Sequence, residues 1–180
     1  MPLIQSIVPL IRTALKERAQ VETDEVTRAE SVEALTRHID SAALAPLAGL
    51  VESLRDPLPA VRASAAAVLA ELGPGARDAS SALIQAALRD TEPRVRVQAA
   101  VAVWHVERRT QVALPILIAG LESTDEYLRW IAADCLGEIG AEAHEALPAL
   151  HAALNEPSQP PMIRRSLKLA VDRIERGTTG

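Results

Sequence analysis

Residues 54–73 read LRDPLPAVRASAAAVLAELG, and the same plan recurs three times further along the chain. Residues 88–106 read LRDTEPRVRVQAAVAVWHV, residues 121–140 read LESTDEYLRWIAADCLGEIG, and residues 154–174 read LNEPSQPPMIRRSLKLAVDRI. With a looser first copy, one arginine per copy recurs every 33 to 35 residues, at Arg28, Arg62, Arg96, Arg129 and Arg164. Such a period is typical of a solenoid, in which each repeat buries its apolar face only by stacking on its neighbours. The sequence therefore predicts an array of repeats.

Each copy joins two amphipathic helices through a short turn. Apolar residues on the first helices are spaced by three and four, as at Leu47, Leu50 and Leu54, so one apolar stripe runs along each helix. Turns such as Asp56-Pro57-Leu58-Pro59 stop the first helix and fix the start of the second. We therefore predict an all-α fold, a right-handed α-solenoid of about five two-helix repeats in a single domain, with a degenerate first repeat and boundaries near 1–43, 44–78, 79–110, 111–143 and 144–177.

Proline, glycine and alanine mark particular places in this plan. Pro115 and Pro148 are expected near helix starts, where a missing N–H does no harm. Gly73 and Gly140 are expected to end second helices in the left-handed cap conformation. Paired alanines let neighbouring second helices approach closely, at 65–66, 99–100 and 132–133.

Composition narrows the class of protein. Apolar residues make up 48% of the chain, but only two tryptophans and one tyrosine are aromatic, so alanine and leucine fill the interior. The formal charge of −5 disfavours a general nucleic-acid coat. The lone Cys135 excludes an intramolecular disulfide framework and fits a reducing compartment. The first sixteen residues, MPLIQSIVPLIRTALK, lack a signal-peptide pattern and no run of about 18 apolar residues occurs, so we expect a cytoplasmic protein.

The repeat pattern has three parts: an (L)P-x-L-x-x-x-L start, a D-x-x-P turn and a V-R-x-x-A-A-x-x-L-x-x-I-G second helix. It resembles the short bacterial HEAT-like repeats, which include those of phycobilisome lyase subunits, over residues 44–176 and more weakly over residues 1–43. A tetratricopeptide repeat of similar period needs aromatic positions that this chain does not supply, and the T-P-L-H-x-A of ankyrin units is absent.

The resemblance implies a structural ladder of arginines that bond to acidic groups and turn carbonyls along the array. Asp56 and Asp90 fit the acidic role, because each lies six residues before its arginine. The arginines of this ladder are Arg62, Arg96, Arg129 and Arg164.

The candidate binding surface lies on the second helices of repeats three and four. Positions one, two, five, eight and nine residues after a ladder arginine are expected on the concave side of the solenoid. All three aromatic residues fall within residues 104–130, and tryptophan and tyrosine are enriched in interface hot spots. The alternative is that curvature buries one tryptophan against a neighbouring helix. We predict a partner-binding concave face formed by Val97, Val101, Trp104, His105, Tyr127, Trp130, Ile131 and Asp134.

Charge is unevenly distributed along the array. Residues 17–40 hold seven acidic residues against three arginines, and residues 164–176 hold five basic residues against two acidic ones. These segments are either solvated polar caps or docking ends. The second interpretation allows end-to-end self-association through the acidic first and basic last repeat, or docking of an acidic partner on the basic end.

The sequence contains no pattern typical of a catalytic site. Hydrolase, P-loop and dinucleotide fingerprints are missing, and Cys135 aligns with the small core positions Val68 and Ala102. The linker pair His144-Glu145 is a weak metal-site candidate, because His151 could share a face with His144 but a third ligand is missing. We predict a non-enzymatic protein–protein interaction scaffold with no cofactor, no metal and no membrane or nucleic-acid partner. The alternatives are a chromophore-lyase-like subunit and a nucleic-acid-modifying enzyme of the HEAT-like kind, for which Asp134 beside Trp130 is the candidate pair.

Overall fold

A computed structural model describes residues 44–178, with side chains from 47 to 177. The predicted first repeat, residues 1–43, lies outside the described residues, as do Arg28 and the acidic segment 17–40. Within the described part the chain contains no β-strand and eight α-helices: α1 (Leu44–Ser53), α2 (Pro59–Leu72), α3 (Ser80–Arg89), α4 (Pro93–Glu107), α5 (Thr110–Leu121), α6 (Glu126–Ile139), α7 (Leu147–Asn155) and α8 (Pro161–Thr178).

The helices form four pairs, α1/α2, α3/α4, α5/α6 and α7/α8, one for each copy of the repeat after the first. The 3-10 segments Gly73–Ala79 and Gly140–Ala146 connect the first pair to the second and the third pair to the fourth. This arrangement confirms the predicted all-α fold built from two-helix repeats.

The second helices begin where the turn sequence predicts. Pro59 and Pro93 occupy the first position of α2 and α4, where the proline ring is already in a helical conformation and its missing N–H is not needed. Pro161 likewise begins α8. α6 begins without a proline. Asp125 caps this helix instead, and its side chain accepts a 2.9 Å hydrogen bond from the N–H of Tyr127.

Two details at the helix ends differ from the predictions. Pro115 lies inside α5, not near its start, because that helix already begins at Thr110. Gly73 and Gly140 have positive φ, 52° and 70°, but their ψ values of −133° and −136° lie outside the left-handed helical region. Such angles are open essentially only to glycine, and they redirect the chain into the 3-10 segments. The left-handed cap occurs instead at Arg108, with φ 56° and ψ 32°.

Contacts divide the chain into two compact units, Met1–Arg108 and Arg109–Gly180. In the described part of the first unit, α4 packs mainly on α2 and also on α3. Fully buried alanines from both second helices allow this close approach. Large buried side chains complete the core, among them Leu50, Val61, Leu69, Leu83 and Val95.

In the second unit α6 packs mainly on α8, while α5 and α7 cover the same pair of helices. A Cβ atom added to Gly137 of α6 would lie 3.0 Å from the Cα of Ala170 in α8, so the two backbones are in direct contact there. Fully buried side chains complete the core of this unit, among them Leu117, Leu136, Leu150, Leu167 and Ile174.

Candidate functional site

The ladder arginine of repeat two joins two successive turns. One guanidinium nitrogen of Arg62 donates to the backbone carbonyls of Asp56 at 2.9 Å and Pro57 at 3.3 Å, within its own repeat. The other two donate to both carboxylate oxygens of Asp90, at 2.7 and 2.8 Å, in the following repeat. The carboxylate that Arg62 binds by hydrogen bonds is therefore that of the aspartate 28 residues after it. The Asp56 carboxylate accepts the N–H of Leu58 at 2.9 Å and shapes the turn.

The remaining ladder arginines keep the carbonyl bonds, and among the described residues only Arg129 adds a side-chain hydrogen bond. Arg96 donates to the carbonyls of Asp90 and Thr91, at 2.9 and 3.1 Å. Arg129 donates to the Ser123 carbonyl at 2.7 Å and reaches the amide oxygen of Gln159 at 3.1 Å, so a buried glutamine replaces the aspartate. Arg164 donates to the carbonyls of Leu154 and Glu156. All four arginines donate hydrogen bonds to backbone carbonyls next to the turns, and this role is structural.

The Arg62–Asp90 pair is the strongest electrostatic contact of this ladder. Their side chains are 13% and 8% exposed. The hydrogen bond to Asp90 raises the pKa of Arg62 above its usual value. Burial opposes the charged form of Asp90, but hydrogen bonds from Arg62 and from the Glu92 N–H outweigh it and hold the pKa of Asp90 below its usual value. Both groups are therefore charged at neutral pH.

Most of the predicted concave face that lies on α4 is buried, and only His105 is as accessible as the aromatic residues of α6. Val97, Val101 and Trp104 are only 4%, 9% and 7% exposed, and His105 is half-buried. The expectation that Val97, Val101 and Trp104 face solvent is therefore wrong. The physical reason is visible in α2, where the matching small residues Ala63, Ala67 and Ala70 are buried as well. Close packing of the second helices covers positions that a helix treated in isolation leaves open.

The Trp104 ring is contacted by two neighbouring side chains, Arg108 and His105. The guanidinium carbon of Arg108 lies 4.0 Å from the centre of the Trp104 ring, and the His105 ring meets it edge-on with centroids 5.1 Å apart. The left-handed conformation of Arg108 folds this side chain back over the last turn of α4. Trp104 thus serves as a packed anchor of the helix end. No sequence pattern predicts this cap, because Arg108 occupies a position where glycine is the usual residue.

The part of the predicted face on α6 remains accessible. Tyr127, Trp130 and Ile131 are half-buried and Asp134 is exposed. Their spacing of three, four and seven residues puts them on one side of the helix. The rings of Tyr127 and Trp130 lie with centroids 5.9 Å apart and tilted by 45°. We call these four residues the α6 aromatic surface. They belong to the second unit, whereas the α4 residues belong to the first.

The protein family that this chain matches is also built from repeats. A model of HEAT repeats matches the chain twice, over residues 12–96 and 80–170. The chain belongs to the HEAT-repeat family. No curated protein matches it. Among solved structures, the crystal structure of an engineered protein is similar to this HEAT-repeat chain, with a TM-score of 0.56 and 23% sequence identity over 97% of this chain and 83% of the other. At that identity the similarity concerns the fold alone, and these matches do not show the similarity to phycobilisome lyase subunits.

Other chemistry-bearing residues of the HEAT-repeat chain are dispersed. Cys135 is buried in α6, as its alignment with core positions predicts. His144 is exposed, and His151 lies 3.8 Å from Glu175. Between residues 44 and 178, no three or more His, Cys, Asp or Glu side chains are grouped so that they could hold a metal ion. No helix in this same part of the chain has the length and apolar character needed to cross a membrane.

Proposed function

We propose that this HEAT-repeat protein is a non-enzymatic scaffold that binds a protein partner through the α6 aromatic surface. The observation that supports it is the accessible Tyr127–Trp130 pair, with centroids 5.9 Å apart, on a helix whose opposite side is buried in the core. Tryptophan and tyrosine carry most of the binding energy at many interfaces. The chain has only three aromatic residues, and two of them are on this surface.

The rigidity of α6 favours binding at this surface. Leu128, Ala132 and Leu136 fix the helix in the core of its unit, so the aromatic rings are held on a backbone that needs no ordering on association. Asp134 adds an exposed negative charge seven residues after Tyr127, which favours a partner with an apolar contact and a neighbouring basic group. In the proposed complex Trp130 is the central contact and Asp134 is at the rim.

The experiment is a quantitative capture of partners from the native cell with the wild type and two variants. Trp130→Ala removes the indole from the α6 aromatic surface, and Met162→Ala removes an apolar side chain that is 68% exposed on α8 of the same unit. We expect Trp130→Ala to lose the partner with affinity falling more than about tenfold, and Met162→Ala to retain it. Equal recovery with Trp130→Ala and wild type, with unchanged helical content, would remove the proposal. Because a single cysteine fits a reducing compartment, we propose to capture partners from the cytoplasmic fraction.

The same purified protein tests the two enzymatic alternatives. Binding of a free tetrapyrrole, detected by its absorption shift, would favour a chromophore-lyase-like role. A salt-sensitive mobility shift of DNA that depends on Asp134 would favour a nucleic-acid-modifying role. The scaffold proposal expects neither.

A second interaction is proposed at α8. Leu169 is 42% exposed there, beside the exposed Arg165 and Lys168. We infer that the basic last repeat, residues 164–176, associates with the acidic segment 17–40 of another copy. Light scattering should then show oligomers at low salt that dissociate at high salt, and Lys168→Glu should abolish them. A monomer at every salt concentration would contradict this inference.

A further inference from the structure

A groove in the first unit carries a third candidate binding site. It encloses about 200 Å³ beside the end of α1 and along one side of α3. Its lining includes the apolar residues Leu54, Ala82 and Ala86 and the exposed Gln85. Two exposed arginines, Arg55 and Arg89, also line it, and we call them the rim arginines. On α3 the lining residues Ala82, Ala86 and Arg89 are spaced by four and three, so they present one face of the helix to the groove.

The two rim arginines, Arg55 and Arg89, are exposed and have no charged or hydrogen-bonded side-chain partner within residues 47–177. The one acidic residue that lines the groove is Asp90, and both of its carboxylate oxygens are bound by Arg62. The charge available to a ligand is therefore positive, although the whole chain has a formal charge of −5.

The arginine pair is confined to two repeats. Repeats two and three share the tripeptide Leu-Arg-Asp, at 54–56 and 88–90, and this brings Arg55 and Arg89 to the same groove. In repeat four the corresponding tripeptide at 121–123 is Leu-Glu-Ser, so the arginine is replaced by Glu122. The ladder needs the aspartate of this tripeptide, but no ladder contact uses Arg55 or Arg89. Their recurrence has no structural explanation in the described contacts.

We propose that this groove binds an acidic peptide segment of a protein partner, with a glutamate or aspartate carboxylate between Arg55 and Arg89 and an adjacent apolar side chain on Leu54 and Ala86. Guanidinium groups bind planar carboxylates in this way. The volume is below the roughly 300–1,000 Å³ of small-molecule sites, which favours a surface peptide over an enclosed metabolite. Two arginines on an acidic protein are too few for a nucleic-acid backbone.

This inference rests on the proposed role as an interaction scaffold and adds a further contact, remote in sequence from the α6 aromatic surface. The probe is a fluorescein-labelled short peptide of alternating leucine and glutamate, with its glutamine counterpart as the uncharged control. Binding to the full chain is followed by fluorescence anisotropy at low and high salt. The variants are Arg55→Ala, Arg89→Ala and the double variant. Arg77→Ala is the matched control, because Arg77 is exposed in the same unit but does not line the groove.

We expect the glutamate peptide to bind and the glutamine peptide to bind at least about tenfold more weakly. Each arginine variant should weaken binding about tenfold, the double variant more, and Arg77→Ala less than twofold. No binding of the glutamate peptide, equal binding of both peptides, or equal loss with Arg77→Ala would overturn the assignment. So would a phosphoserine peptide that binds much more tightly than the glutamate peptide. Trp130→Ala should leave peptide binding unchanged, so failure here is distinct from failure at α6.

Discussion

At the scale of single residues, the ladder arginines show how this chain connects one repeat to the next. One guanidinium nitrogen of Arg62 donates to the carbonyls of its own turn. The other two donate to the carboxylate of Asp90 in the next repeat. Arg96 makes only the carbonyl contacts within the described residues. The two arginines therefore form a natural comparison in which only the carboxylate partner differs.

Removing Arg62 should cost more stability than removing Arg96. Arg62→Ala leaves the nearly buried carboxylate of Asp90 without its two charged hydrogen bonds, so we expect the free energy of unfolding to fall by about 1–3 kcal/mol. Arg96→Ala loses only hydrogen bonds to carbonyls, and we expect a loss below about 1 kcal/mol. Urea unfolding followed by circular dichroism measures both values. Equal losses would mean that the Arg62–Asp90 pair adds nothing to the carbonyl contacts.

The lowered pKa of Asp90 predicts a particular pH dependence. A carboxyl whose pKa is lower in the folded state stabilises the fold above its unfolded-state value, and this contribution is lost as pH falls through the folded-state value. The stability difference between wild type and Asp90→Asn should thus be constant from neutral pH down to about pH 4 and shrink below it. Unfolding experiments across this range provide the check. A difference that persists unchanged at about pH 2 would show that the charge of Asp90 is not the cause.

At the scale of helices, the crossing of α6 and α8 depends on a residue without a side chain. Gly137→Leu should lower the free energy of unfolding by more than about 2 kcal/mol, because its Cβ alone would lie 3.0 Å from the backbone of Ala170. Helix propensity works in the opposite direction, since leucine favours a helix over glycine by nearly 1 kcal/mol. Gly75→Leu is the control, because no heavy atom beyond the adjacent residues of the chain lies within 4 Å of a Cβ at that position. Thermal and urea unfolding of the two variants should differ clearly, and similar values would contradict the close crossing.

Helix starts follow from local sequence, whereas the burial of side chains between helices does not. Local chemistry predicts the starts of α2 and α4 from Pro59 and Pro93, because proline fixes its own backbone angle. It fails for the exposure of Trp104, since that depends on the approach of neighbouring helices and on Arg108 folding over the ring. The sequence alone leaves open which of two aspartates binds Arg62, for a similar reason. Asp56 and Asp90 stand at the same distance before an arginine, and only the stacking of repeats selects between them.

At the scale of the whole molecule, the chain is a HEAT-repeat protein whose contacts divide it into the units Met1–Arg108 and Arg109–Gly180. Each unit holds one of the two tryptophans, Trp104 in the first and Trp130 in the second. Variants with a single indole, made by Trp104→Phe or Trp130→Phe, therefore report on one unit at a time. Repeat arrays often lose stability locally, because each repeat contacts only its neighbours.

We expect the effect of Arg62→Ala to be local. In urea unfolding the midpoint reported by Trp104 should fall more than the midpoint reported by Trp130, since Arg62 and Asp90 both belong to the first unit. Fluorescence of the two single-indole proteins, each with and without Arg62→Ala, measures this difference. Equal shifts of both midpoints would show that the two units unfold as one cooperative body.

The most direct test of the proposed function is quenching of the two indoles by acrylamide with and without the captured partner. In the free protein, Trp130 should be quenched more strongly than Trp104, because Trp104 is only 7% exposed. Addition of the partner should protect Trp130 and leave the quenching of Trp104 unchanged. If a partner binds tightly while the quenching of Trp130 stays at its free value, the α6 aromatic surface is not the binding site.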